Sequence, residues 1–195
     1  MPARNTGHVI LSELEISGES GALRIVIETP KGSRNKYDYD PDCNCFALAK
    51  VLPEGMTFPF DFGFLPSTLG EDGDPLDVLV MMDVAAMPGC ILEARPVGAI
   101  EARQKDSTTG EWIRNDRLIA IAVNARIHED AKSLDDLGPH VLKDIKAFFT
   151  QYNQLEDKKF ECLKDHGPKG AMKLVEAGKG LFQKKKRRRR SHNGR

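Results

Sequence analysis

Glu71-Asp72-Gly73-Asp74-Pro75-Leu76-Asp77-Val78-Leu79-Val80 sets four carboxylates within seven residues and then runs straight into apolar sequence. Gly73 and Pro75 punctuate the acids as turn residues do. Crowded carboxylates repel one another, more strongly as they lose solvent. Anchoring them at the start of a hydrophobic strand makes physical sense where cations neutralise them. Hard divalent ions with oxygen ligands suit such a set: Mg²⁺ or Mn²⁺, or Ca²⁺. An EF-hand calcium loop does not fit, because the sixth position counted from Asp72 is Asp77, where that loop needs glycine. A solvated acidic turn is the plain alternative, and composition alone does not exclude it.

Outward from this loop, the first half of the chain reads as β-structure. In Leu23–Thr29, Leu23, Ile25 and Ile27 share one face at period two and Glu28 falls on the other. Pro30-Lys31-Gly32-Ser33 is turn chemistry, and Lys36–Asp40 resumes as a strand with Lys36 and Asp38 on one side. Further strands are predicted at 77–82, 90–101 and 117–124, the last a buried-strand type of run. The second half turns helical. Pro139 suits a first helical turn, and Val141, Leu142, Ile145, Phe148, Phe149, Tyr152 and Leu155 form one apolar stripe. A second helix is predicted around 169–183, opposed by Gly170, Gly178 and Gly180. Short strands followed by helices give an α+β class, built on a small barrel.

The bulk composition places limits on function. Hydrophobic residues make up 40% of the 195 and charged residues 30%, which fits a folded domain with a core. No stretch approaches the ~18 apolar residues of a membrane span. The amino terminus leads into no apolar run of signal type, so a cytoplasmic protein is expected. The net charge of zero conceals a division: eight of the 29 basic residues lie in Lys184–Arg195, leaving 21 against 29 acidic ones, about −8, in residues 1–183. The reading is a domain over 1–183 and a basic, disordered tail over 184–195. An acidic body argues against nucleic-acid binding except through that tail. Cys43 and Cys45 are spaced C-x-C with no histidine nearby, so the four cysteines read as free thiols rather than a zinc site.

Asp72-Gly73-Asp74-Pro75-Leu76-Asp77-Val78-Leu79-Val80 resembles the signature of the family I soluble inorganic pyrophosphatases. Further blocks follow in that family's order: Ile27-Glu28-Thr29-Pro30, Lys36-Tyr37, Phe58-Pro59-Phe60-Asp61-Phe62-Gly63-Phe64, Arg95-Pro96-Val97-Gly98 and Phe148-Phe149-Thr150-Gln151-Tyr152. The resemblance implies a five-stranded, OB-like β-barrel with packed helices, assembled as a homo-oligomer, often a hexamer in bacteria. It implies Mg²⁺ as cofactor, with Mn²⁺ as an alternative. It marks Asp72 and Asp77 as metal ligands, Glu28 as a further metal-associated acid and Asp74 as the general base. Lys36 and Tyr152 match phosphate-binding positions. Lys50 stands where the family has arginine and Arg117 where it has lysine, both as substrate-binding cations. In the acidic hairpin, Asp106 matches a first metal-binding aspartate. Asn115 occupies the usual position of a second. Asp116 is adjacent but faces the other way on a regular strand unless a bulge restores it. Asp38 replaces a glutamate, Phe58 and Phe62 replace tyrosines, and Asn153 replaces a lysine.

The expected reaction is metal-dependent hydrolysis of inorganic pyrophosphate to two phosphates, by in-line attack of an activated water. Each lost hydrogen bond to a charged phosphate removes ~1.5–3 kcal/mol. A few such losses weaken but do not erase an acceleration of ~10⁶ or more. Two other readings compete. One is a degenerate relative that binds metal and phosphate or nucleotide without efficient turnover. The other is a binding module acting through Lys184–Arg190, in a strongly salt-dependent way.

Overall fold

Strand β1 (Leu23–Thr29) is buried on both faces, not one, because the chain wraps around it. One face enters the core through Leu23, Ile25 and Ile27. The other is covered by a hairpin of β2 (Asn35–Asp40) and β3 (Cys45–Val51). The Thr29 hydroxyl accepts from the Tyr37 amide at 3.0 Å, and a Glu28 carboxylate oxygen accepts from the Tyr39 amide at 2.8 Å. These bonds bring Lys36 of the hairpin over the polar end of β1. The structure, a computed structural model, describes residues 9–18, 21–105 and 109–193.

The remaining strands are β4 (Asp61–Phe64), β5 (Asp77–Met81), β6 (Ile91–Lys105), β7 (Trp112–Arg114), β8 (Arg117–Ala122) and β9 (Phe160–His166). Pairing runs β1–β4–β5–β8–β6, and β6 returns to β1, so five strands close on themselves. Closure removes free sheet edges. This is the five-stranded, OB-like barrel of an α+β fold that the motif implied. Among the described residues β5 and β8 are the parallel pair, and their register sets Asp77 beside Arg117. Strand β6 reaches beyond the barrel to pair with β7 and β9. Its register against β8 slips between Pro96 and Gly98, where Val97 forms a bulge that bends the long strand.

The sequence reading anticipates β1, β2, β5, β6 and β8, and misses β3, β4, β7 and β9. All four residues of β4 are buried, which removes any alternation, and β7 has only three residues. Helix α1 (Pro139–Gln154) starts on its proline, as expected, and buries Ile145, Phe148, Phe149 and Tyr152. Helix α2 (Pro168–Asn193) is longer than predicted. Gly178 does not break it; a side chain there would meet Leu76 and Thr68, so glycine lets the helix lie against the loop before β5. The helix also continues through the basic run to Asn193, where a disordered tail was expected from Lys184. Lys and Arg are good helix formers, and cations are favoured at a helix carboxyl end. Lys186 further ties this end to Glu13 at 2.7 Å. Among the described residues, no helix is long and apolar enough to cross a membrane. All four cysteines are free thiols.

Asp61 joins two loops to β4. One of its carboxylate oxygens accepts the Lys31 amide at 2.9 Å and the Ala86 amide at 3.1 Å. The other is buried with no partner among the described residues. Burial raises the Asp61 pKa, against the two amide bonds. A raised carboxyl favours folding in its protonated form. That contribution is complete below the ordinary value of about 4 and is lost as pH rises through the raised one. Asp61→Asn should therefore lose less stability than the parent protein as pH rises from about 4 towards neutrality. Urea midpoints measured across that range would check this, and parallel pH profiles would refute it.

Candidate active site

The carboxylate loop is a hydrogen-bonded turn. The Gly70 amide donates to the Asp74 carbonyl at 2.7 Å, and the Asp74 amide to an Asp72 carboxylate oxygen at 3.2 Å. Gly73 has φ +94°, a conformation that a side chain would strain. Below the turn, the Thr68 hydroxyl accepts the Leu76 amide at 3.0 Å, and the Leu69 amide reaches Gly178 of α2 at 3.1 Å. The turn therefore rests on both the barrel and the helix.

A cavity of about 800 Å³ opens beside it. Glu28 from β1, Lys36 from β2, Lys50 from β3, Asp72, Asp74 and Asp77 from the loop, Arg117 from β8 and Tyr152 from α1 all line it. Eight of the sequence-marked residues thus meet in one place although they span more than 120 positions. Asp106 lies outside the described residues. Asp116 is not brought to the cavity. Its carboxylate accepts the Arg114 guanidinium at 2.8 and 3.1 Å and the Ala102 amide at 3.0 Å. No bulge turns it inward; the regular two-residue alternation puts Asn115 on the cavity wall instead. Asp116 instead pairs with Arg114 and lines a smaller cavity of about 230 Å³, which Asp72 and Asp77 also border.

Arg117 organises the floor. Its guanidinium binds the carboxylate of Asp77 and the side-chain oxygen of Asn115, and lies 4.8 Å from the centre of the Phe149 ring. Lys36 binds Asp38 and lies 5.5 Å from the Phe62 ring centre. Lys50 binds Glu156 and lies 4.6 Å from the Tyr152 ring centre. Phe58 and Phe62 pack into an aromatic wall with Phe148, Phe149 and Tyr152, supplying shape without hydroxyls. Asn153 is buried and donates back to the Phe149 carbonyl at 2.9 Å, so that position brings no charge.

The electrostatics follow from partial desolvation of both signs of charge. Burial pushes Glu28 up to about 7; Lys36 and the Tyr39 amide oppose this, while Asp77 and Asp74 add to it. Burial and then Asp77 push Asp72 up to about 6. Asp77 is raised by burial, against Arg117 and Lys36. Lys36 is lowered by burial, against Glu28 and Asp77. Burial raises Tyr152, which keeps it a phenol. Such a cavity favours a ligand that brings cations to the carboxylates and anionic oxygens to the lysines.

Among the described residues, no three acids, histidines or cysteines close into a ready metal cage. The donor set still fits magnesium, which keeps several waters and takes one or two carboxylates plus substrate phosphate oxygens. Calcium, which wants six to eight oxygens, fits less well.

A family model described as inorganic pyrophosphatase matches residues 25–183. The chain belongs to the inorganic pyrophosphatase family. It is 38% identical over 166 residues to the inorganic pyrophosphatase of Synechocystis sp., covering 85% of this chain and 95% of that one. It is 36% identical to soluble inorganic pyrophosphatase 2 of Chlamydomonas reinhardtii, covering 81% of this chain and 79% of the relative. The crystal structure of the inorganic pyrophosphatase from Thermus thermophilus superposes with a TM-score of 0.81 at 31% identity, over 90% of this chain and 99% of that one. That of Helicobacter pylori gives 0.78 at 33%, over 87% and 98%. Membership of this family carries metal dependence with it.

The cavity also holds Glu156 and Lys158, which no motif marked, and Lys185, Lys186 and Arg189 from the basic run that was read as a separate tail. Lys158 follows α1 in an ordinary turn and carries no sequence signal. The three from α2 are legible only once the basic run is known to be helical.

Arg117 is almost fully buried and is the close partner of Asp77. Removing one member of a buried pair leaves the other uncompensated, at a cost of roughly 3–5 kcal/mol. Arg117→Leu should lower stability by about that amount, and adding Asp77→Asn should recover part of the loss. Urea unfolding of the two variants checks this. A double variant no more stable than Arg117→Leu would show that the pair is not the source of the effect.

Proposed function

We propose that the chain hydrolyses inorganic pyrophosphate to two phosphates, with magnesium as the preferred ion and manganese accepted. The observation that carries this reading is the convergence of Glu28, Asp72, Asp74 and Asp77 with Lys36, Lys50, Arg117 and Tyr152 around one cavity, in a chain of this family. Asp72 and Asp77, with Glu28 beside them, are the residues that would hold magnesium, which would supply charge neutralisation and lower the pKa of the attacking water.

The chain's own residues do the rest. Lys36 and Arg117 hold phosphoryl oxygens and fix the substrate for in-line attack. Lys50 keeps the charge of the family's arginine but gives up its two-pronged geometry. Tyr152, kept as a phenol, donates its hydroxyl to a phosphate oxygen. Asp74 is exposed at the rim and takes the proton of the attacking water. The water oxygen bonds to one phosphorus as the bridging P–O bond breaks, and the departing phosphate leaves with the electron pair. Asn115, in place of a carboxylate, leaves the site with one fewer negative donor and weaker hold on cations. A cytoplasmic homo-oligomer, hexameric by resemblance to bacterial family members, is part of the same reading. Val84, Met87 and Ile91 support it as strongly exposed apolar residues on one stretch of chain.

The test is phosphate release from pyrophosphate with and without magnesium. A chelator should abolish release, and Asp74→Asn should lower kcat by about 10²–10⁴ with a much smaller change in KM. Release unaffected by the chelator, or by Asp74→Asn, would contradict the proposal.

A further inference from the structure

Phe182, Lys185, Lys186 and Arg189 of α2 form part of the cavity wall. Their spacings of three, one and three place them on one helix face, while Lys184, Arg187 and Arg188 lie off that wall. The helix is held there by Gly178 against Leu76 and Thr68, so these cations sit on a packed element. The Lys185 ammonium donates to the Gly73 carbonyl at 3.4 Å, between the two acids Asp72 and Asp74.

The partners of the wall's cations differ. Lys36 is paired with Asp38, Lys50 and Lys158 with Glu156, Arg117 with Asp77, and Lys186 with Glu13. Among the described residues, Lys185 and Arg189 are the wall cations with no carboxylate partner. The cavity volume, about 800 Å³, lies in the upper part of the ~300–1,000 Å³ range that holds ligands of drug size. Two phosphates leave much of it unfilled.

We propose that Lys185 and Arg189 form an additional phosphate subsite, and that the site accepts linear phosphoanhydrides longer than pyrophosphate, inorganic tripolyphosphate being the simplest. This rests on the pyrophosphatase reading above. The chemistry is unchanged: the water oxygen bonds to a terminal phosphorus, the adjoining bridging P–O bond breaks, and pyrophosphate leaves with the electron pair. The water's proton passes to Asp74. Lys185 and Arg189 hold the third phosphate, which pyrophosphate lacks.

The experiment compares the full chain with Lys185→Ala/Arg189→Ala and with Lys184→Ala/Arg188→Ala, which removes equal charge from the same helix. Steady-state kinetics are measured on pyrophosphate and tripolyphosphate, and calorimetric binding of each is measured without added metal. The ratio of kcat/KM for tripolyphosphate to that for pyrophosphate should fall at least about ten-fold in the first variant and less than about three-fold in the second. An unchanged ratio in the first variant, an equal fall in both, or parent turnover of pyrophosphate alone would overturn the proposal. If the parent turns over neither substrate, the pyrophosphatase reading fails. Calorimetry then decides the subsite: tripolyphosphate binding weakened only in the first variant supports it, and equal binding by all three proteins overturns it.

Discussion

Glu28, Asp72, Asp74 and Asp77 share one partly desolvated cavity, and their mutual repulsion is the constraint the surrounding structure answers. Repulsion of this kind grows as solvent is excluded, so the acids cannot simply be packed away. Arg117 and Lys36 offset part of it from within the chain. The remainder is consistent with the metal dependence of the family. A site fully balanced by its own lysines and arginines would have no use for a metal; one with no balance would weaken the fold.

Closure of the barrel is what makes this arrangement possible. The parallel step between β5 and β8 sets Asp77 against Arg117, forty residues away in sequence. The β2–β3 hairpin, held to β1 through Thr29 and Glu28, carries Lys36 and Lys50 to the same place. Helix α1 brings Tyr152, and α2 supports the carboxylate turn through Gly178. Asp74 alone among the four acids stands exposed at the rim, where water reaches it.

Much of this was legible in the sequence where a local pattern carried it. The period-two run of β1, the stripe of α1 and the D-x-D-P-x-D turn each report on their own surroundings. Strands such as β4 were not legible, because burial on every side erases alternation. Gly178 reads as a helix breaker until its neighbours Leu76 and Thr68 are seen. Asp116 and Asn115 show the same limit at the site. The choice of which one faces the cavity depends on whether a bulge interrupts the approach to β8, and only the Arg114–Asp116 pairing settles it. The cations of α2 were hidden for a related reason: a run of seven basic residues has no face until it is wound into a helix.

The central claim is that a divalent ion relieves the crowded carboxylates. The most direct measurement is the melting temperature of the purified protein as MgCl₂ is raised, with NaCl matched for ionic strength. Binding to the folded state alone stabilises it by about 2.7 kcal/mol at a hundredfold excess over Kd. The account predicts a saturable rise with MgCl₂ that is absent in NaCl and much reduced in Asp72→Asn. Equal shifts in the two salts, or an undiminished rise in Asp72→Asn, would contradict it.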